Sequence, residues 1–141
     1  MDAMLQRNIL LRGSSLSVLT KALEQTIMHL IQEPWYRRNP YIHSSKVKCL
    51  IEEMDDLIEQ IIHTILDYSA LLGKACICED KELHAYYYVY QFLFSFQDEI
   101  RRQENIHLLL IRNASLIEQF EHFFNYTKRF VDYQSQKLAN L

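Results

Sequence analysis

Glycine and proline are both rare in this sequence, with two of each in 141 residues. A β-sandwich, a Rossmann unit and a P-loop all depend on glycines for turns or for phosphate binding, so this composition argues against them. Hydrophobic residues make up 49% of the chain and charged residues 23%, which is the balance of a globular domain. We therefore expect one all-α domain over residues 1–141.

Excess positive charge and long apolar runs are also missing. The net charge is −3 and the basic residues are scattered, so we expect no nucleic-acid partner. The longest purely aliphatic run, Leu108–Ile111, is far short of a membrane span, and the first residues lack the apolar core of a signal peptide. The three cysteines are an odd number, and Cys76 and Cys78 are too close together in sequence to form a disulfide easily. Together these features predict reduced thiols and a cytoplasmic location.

Helical periodicity is present from residue 15 onward. Apolar residues repeat at helical spacing over Ser15–Glu33, where Gly13-Ser14-Ser15 supplies a start and Pro34 a stop. The pattern is clearest over Ser45–Leu72, and Gly73 stands where a left-handed terminator belongs.

Two further helices are predicted, over Asp80–Gln103 and from near Asn105 almost to the end. Between Leu83 and Phe96, eleven of fourteen residues are apolar or aromatic. A helix that is apolar on every side is central in the fold or has a second buried face against a partner subunit. This pattern is consistent with a homodimer.

No catalytic or metal-binding signature is apparent, so we expect no enzymatic activity. Cys76-Ile77-Cys78 lacks the spacer and the second pair of a zinc site, and a motif for covalent haem attachment is absent. Arg102 and His107 have the spacing found in helical nucleases of bacterial toxin systems, the HEPN domains. In that resemblance the arginine stabilises phosphate charge and the histidine moves protons. A HEPN-like RNase is therefore one alternative function, and a helical protein-interaction module is another.

The order of the elements favours a globin-like fold without haem over the alternative, a four-helix bundle. A bundle prefers near-equal helices and short loops, whereas this sequence predicts a short first helix and a corner broken by two prolines. From about Leu16 to Leu138, this layout resembles the non-haem globin sensor domains of spore-forming bacteria. It is similar to small sporulation inhibitors related to the sensor domain of a sporulation histidine kinase.

The resemblance implies a fatty-acid ligand, a bound anion such as chloride, and dimers built from the last two helices. It also implies that the protein inhibits sporulation by competing with the kinase for its signal. The residues expected to bind the ligand are Trp35, Arg38, Tyr41, His43, Leu50, Met54, Leu57, Ile61, Tyr90 and Phe123. Those chosen for the dimer interface are Tyr87, Phe94, Phe120 and Phe124.

Overall fold

The computed structural model describes residues 2–32, 45–102 and 114–141, and these residues form four α-helices. We number them in chain order by the bounds that follow: α1 is Ala3–Gln32, α2 is Ser45–Ala75, α3 is Asp80–Arg102 and α4 is Ala114–Ala139.

The helices form a closed ring in which α1 packs against α2 and α4, and α3 packs against the same two. Contacts at the edges of the ring show that neighbours are antiparallel. Gln6 at the start of α1 donates a hydrogen bond to the Leu138 carbonyl at the end of α4, at 3.5 Å. On the opposite edge, Arg101 near the end of α3 bonds to Asp55 in the first half of α2, at 3.3 Å. The arrangement is that of an up-and-down bundle.

The first helix begins well before the predicted start. Asp2 caps it, because the Asp2 carboxylate accepts a hydrogen bond from the Met4 backbone N–H at 3.1 Å. The helix then continues through Gly13, which is buried. The predicted start at Gly13-Ser14-Ser15 is therefore wrong, and α1 has 30 residues.

The end of α2 also differs from the prediction. Gly73 lies inside the helix without a positive φ, and the left-handed position is taken by Cys76, with a φ of 56°. The Cys76 N–H donates to the Gly73 carbonyl at 3.2 Å, which closes the last turn. The predicted start of α3 at Asp80 is confirmed, and its predicted end, Gln103, lies outside the described residues.

The helix lengths of 30, 31, 23 and 26 residues remove the argument from unequal lengths that favoured the globin layout. The all-α class is confirmed, and the described residues make a four-helix domain, which corresponds to the alternative arrangement. Its core is aliphatic along α1 and α2 and largely aromatic between α3 and α4.

Candidate functional site

The predicted ligand residues of α2 all belong to the core. Met54 and Ile61 are fully buried, and Leu50 and Leu57 pack against the same cluster. They follow one face of α2 over roughly 16 Å of helix. Packing in the interior accounts for these side chains without a ligand.

Two predicted ligand residues lie between α3 and α4, where Tyr90 and Phe123 are both buried. Trp35, Arg38, Tyr41 and His43 fall outside the described residues. Arg102 is the last residue of α3, and His107, its partner in the HEPN-like spacing, also falls outside them.

The predicted interface residues occupy different environments. Phe94 is 47% exposed, and Tyr87 and Phe124 are half-buried. Phe120 is only 1% exposed, and its ring meets Phe92 and Phe96 edge-on at centroid distances of 4.9 and 4.7 Å. Phe120 is therefore a core residue of this chain and not a surface residue that a partner subunit reaches. The placement of Phe120 in the interface is corrected accordingly.

An apolar opening lies between α3 and α4. It is a surface groove of about 690 Å³, lined by Tyr88, Val89, Phe92, Glu118, Gln119, His122 and Phe123. This volume falls within the range of small-molecule sites. Of the predicted ligand residues, Phe123 lines the groove.

The rim of the groove carries hydrogen-bonding groups of both kinds. Tyr88, which is 79% exposed, offers a phenol, and Gln119 and His122 offer an amide and an imidazole. Glu118 supplies a carboxylate. The groove therefore combines an apolar floor with a polar edge, which suits an elongated molecule with one polar end.

A second groove, of about 480 Å³, lies between α1 and α4. Lys21 and Glu24 line it from α1, and Phe124, Lys128 and Asp132 line it from α4. Its equal numbers of cationic and anionic groups give it no net preference for a charged ligand.

A half-buried polar cluster joins the turn after α2 to the end of α4. The Glu82 carboxylate accepts hydrogen bonds from Gln134 at 3.0 Å and from Lys137 at 3.3 Å, and the Cys78 thiol donates to it at 3.6 Å. Burial alone would raise the pKa of Glu82, but the bonds from Gln134 and Lys137 lower it overall. Burial, together with the nearby Glu82 charge, raises the pKa of the Cys78 thiol to about 12.

A second polar cluster joins α2 to α3 on the surface. Glu59 accepts hydrogen bonds from Gln97 and from Arg101, and Arg101 also pairs with Asp55. The bond from Gln97, followed by that from His63, lowers the pKa of Glu59. This cluster holds α3 against α2, and its Gln97 and Arg101 also line a surface groove of about 370 Å³.

Two tyrosines, Tyr68 and Tyr86, are buried in the core and pack against Phe130. Tyr86 stacks on Phe130 with ring centroids 4.3 Å apart, and Phe130 meets Tyr68 edge-on. Burial strongly raises the pKa of both Tyr68 and Tyr86, so neither hydroxyl is suited to act as a base near neutral pH.

Within residues 2–32, 45–102 and 114–141, no three histidine, cysteine, aspartate or glutamate side chains lie close enough together to hold a metal ion. None of the helices described combines the length and apolar character needed to cross a membrane. Comparison with known proteins finds no matching family model, no matching curated protein and no matching solved structure.

The sequence interpretation missed the groove-lining residues Tyr88 and His122 and the clusters around Glu82 and Glu59. Helical periodicity places a residue on a face of its own helix. It does not say how far the neighbouring helix stands away, and that distance decides whether a groove forms.

Proposed function

We propose that this protein is a non-enzymatic binding protein whose α3–α4 groove takes an elongated apolar molecule with a polar end. The proposal rests on two features of the groove. Val89, Phe92 and Phe123 form an apolar wall, and His122 lies at the polar edge. A long-chain fatty acid is the ligand class that we favour. Its chain would lie along the wall and its carboxylate would accept hydrogen bonds from Gln119 and His122.

Extraction and mass spectrometry of the purified protein test the ligand class. A fatty acid that is bound in the groove should be recovered in a stoichiometric amount. Recovery of no lipid, together with no binding of an added fluorescent fatty acid, would contradict the proposal.

Substitutions in the groove test the position of the carboxylate. Glu118 lies beside the proposed carboxylate position, so E118Q should tighten binding of the fluorescent fatty acid several-fold, because it removes a like charge. H122A should weaken binding several-fold. Glu121 is exposed on the same helix and does not line the groove, so E121Q is the matched control. Equal affinities in all these variants would exclude this groove as the site.

The resemblance to sporulation inhibitors suggests a biological role for the bound fatty acid. The bound fatty acid would be withheld from a cytoplasmic sensor histidine kinase, so that sporulation is inhibited by sequestration and not by chemistry. Expression in a spore-forming bacterium should then lower spore counts, and H122A should lower them less than the wild-type protein does. Loss of spores that is equal for both proteins would contradict sequestration through this groove.

We also propose that the protein forms a homodimer in which α3 of each copy lies at the interface. No Asp, Glu, Lys or Arg occurs from residue 83 to residue 97, so two copies of this helix can meet without opposing like charges. Phe94, exposed on this helix, is the side chain that we expect at the centre. Sedimentation analysis should show a dimer for the wild-type protein and a monomer for F94D, and a wild-type monomer would contradict it.

A protein-interaction module is the second candidate, because α1 carries an exposed apolar stripe. Met4, Leu11 and Val18 repeat every seven residues and are all exposed. This stripe is on a different helix from the groove. A lipid-free protein in which substitutions at Leu11 and Val18 abolish complex formation, while H122A does not, would favour this candidate.

A further inference from the structure

The turn between α2 and α3 places two cysteines of opposite accessibility two residues apart. Cys76 is exposed and has left-handed backbone geometry, with its thiol 3.6 Å from the Gly73 carbonyl. Cys78 is 8% exposed and belongs to the polar cluster with Glu82 and Gln134. Neither the groove nor the proposed dimer uses these thiols.

We propose that Cys76 and Cys78 form a reversible dithiol–disulfide switch that is oxidised by low-molecular-weight disulfides and that controls how firmly the end of α4 is held.

The chain geometry allows this bond. Residues two apart have Cα atoms separated by at most about 7 Å, and disulfides join Cα atoms at about 4.4–6.8 Å. The ring formed by so short a segment is strained, and strained disulfides are readily reduced, which suits a switch better than a permanent crosslink. Cys49 lies near the opposite end of α2, roughly 40 Å away along the helix. It therefore cannot be the partner of either thiol.

The reaction proceeds by two thiol–disulfide exchanges. The Cys76 thiolate attacks one sulfur of the small disulfide RSSR, forms the mixed disulfide Cys76–S–SR and releases RS⁻. As the Cys78 sulfur then attacks the Cys76 sulfur, its proton is lost through the Glu82 carboxylate that accepts its hydrogen bond, and the second RS⁻ leaves. The two released RS⁻ take up the two protons given up by Cys76 and Cys78. In total, two cysteine thiols and RSSR become one protein disulfide and two RSH. The two electrons lost by the cysteine sulfurs reduce RSSR.

Bond formation removes Cys78 from the cluster that it helps to hold. In the reduced protein the Cys78 sulfur donates to Glu82 and accepts a hydrogen bond from Gln134, both at 3.6 Å. Lys137 donates to the Ile77 carbonyl between the two cysteines at 3.2 Å. Gln134 is fully buried, and its side-chain oxygen has no hydrogen-bond partner among the residues that the structure describes, so the amide depends on Glu82 and Cys78. Oxidation therefore weakens the attachment of α4 to the turn.

Peptide mass spectrometry after incubation of the folded chain with oxidised glutathione tests the chemistry. We expect the peptide with Cys76 and Cys78 to lose two hydrogen atoms, while Cys49, the exposed internal control, carries only a glutathione adduct. In C78S, Cys76 should keep its adduct, and in C76S, Cys78 should stay reduced. A lasting adduct at Cys76 in the wild-type protein, or no reaction at either cysteine, would overturn the proposal.

Amide hydrogen exchange tests the structural consequence. The oxidised protein should exchange at least several-fold faster over residues 134–139 than the reduced protein, and dithiothreitol should restore the slow rate. The comparison is made in C49S, so that the first half of α2 carries no glutathione adduct, and this segment should exchange at the same rate in both forms. A disulfide that forms without changing exchange at the end of α4 would overturn the switch.

Discussion

Phenylalanine side chains occupy contrasting environments on α3 and α4. Phe120 lies edge-on to two other rings in the core, whereas Phe94 is exposed on the surface of α3. An aromatic ring that leaves the core removes both apolar burial and its contacts with neighbouring rings. The energetic importance of each ring is therefore set by its position.

Replacement of Phe120 by alanine should lower the free energy of unfolding by about 3–5 kcal/mol, because it leaves a cavity among Phe92 and Phe96. The matched change F94A should cost less than about 1 kcal/mol in the monomer, because Phe94 is largely solvated. Urea unfolding of both variants at low protein concentration measures the difference. Equal losses would contradict the core position of Phe120.

The Glu82 carboxylate makes stability depend on pH. Its pKa is lowered in the folded protein, so its contribution is present above the ordinary value of 4.5 and is lost as the pH falls through the folded value. E82Q should cost about 1 kcal/mol at pH 7, where the bonds from Gln134 and Lys137 are charge-assisted. The difference in the free energy of unfolding between wild type and E82Q should become smaller as the pH falls below the ordinary pKa of 4.5. If this difference in unfolding free energy is constant from neutral to acid pH, the Glu82 carboxylate does not stabilise the fold through its charge.

At the scale of helices, the two glycines show why single residues are weak markers of where a helix ends. Gly13 lies inside α1, and a Cβ at this position would lie 3.3 Å from a Val131 methyl and 3.4 Å from the Tyr68 ring. The small residue admits close packing of α2 and α4. Around Gly73, by contrast, an added Cβ meets nothing within 4 Å.

Substitution of each glycine by alanine separates these two situations. G73A should raise the free energy of unfolding by about 0.5 kcal/mol, because alanine favours the helix and no neighbour opposes it. G13A has the same helical gain but must displace Val131 or Tyr68, so it should give no gain or a loss. Thermal and urea unfolding compare the two variants directly. If G13A raises the free energy of unfolding as much as G73A does, Val131 and Tyr68 move aside without cost.

The helices themselves were largely predictable, and their packing was not. The alternation of isoleucines and acidic residues predicts α2 from Ser45, and the apolar run of α3 with its charged continuation predicts that helix. The early start of α1 was missed because its first turns have exposed Met4, Leu10 and Leu11, which break the expected face. The sequence predicts Phe120 at an interface because a helix rich in aromatics on several sides does not show which side faces its own core.

Over the whole molecule, the closed ring brings the two ends of the chain together. The start of α1 meets the end of α4 through the Gln6–Leu138 hydrogen bond, and Gly13 meets Val131 two turns further along. The α1–α4 edge is therefore formed by the parts of the chain that are furthest apart in sequence. Its closure carries a large loop-entropy cost in folding.

Covalent closure of the chain by a short glycine–serine linker should remove part of that cost. We expect the cyclic protein to gain about 2–3 kcal/mol in unfolding free energy over the linear protein with the same linker appended. Urea titration of the two forms gives the comparison. No gain, or a loss, would mean that the chain ends are not held side by side in solution.

The nearly parallel stacking of Tyr86 on Phe130 gives the protein an optical reporter of its own. Rings fixed in an asymmetric interior produce a circular dichroism signal in the near ultraviolet, and this signal disappears when side-chain packing loosens even if the helices persist. Light absorbed by these buried rings can therefore follow the separation of α3 from α4 without any attached dye.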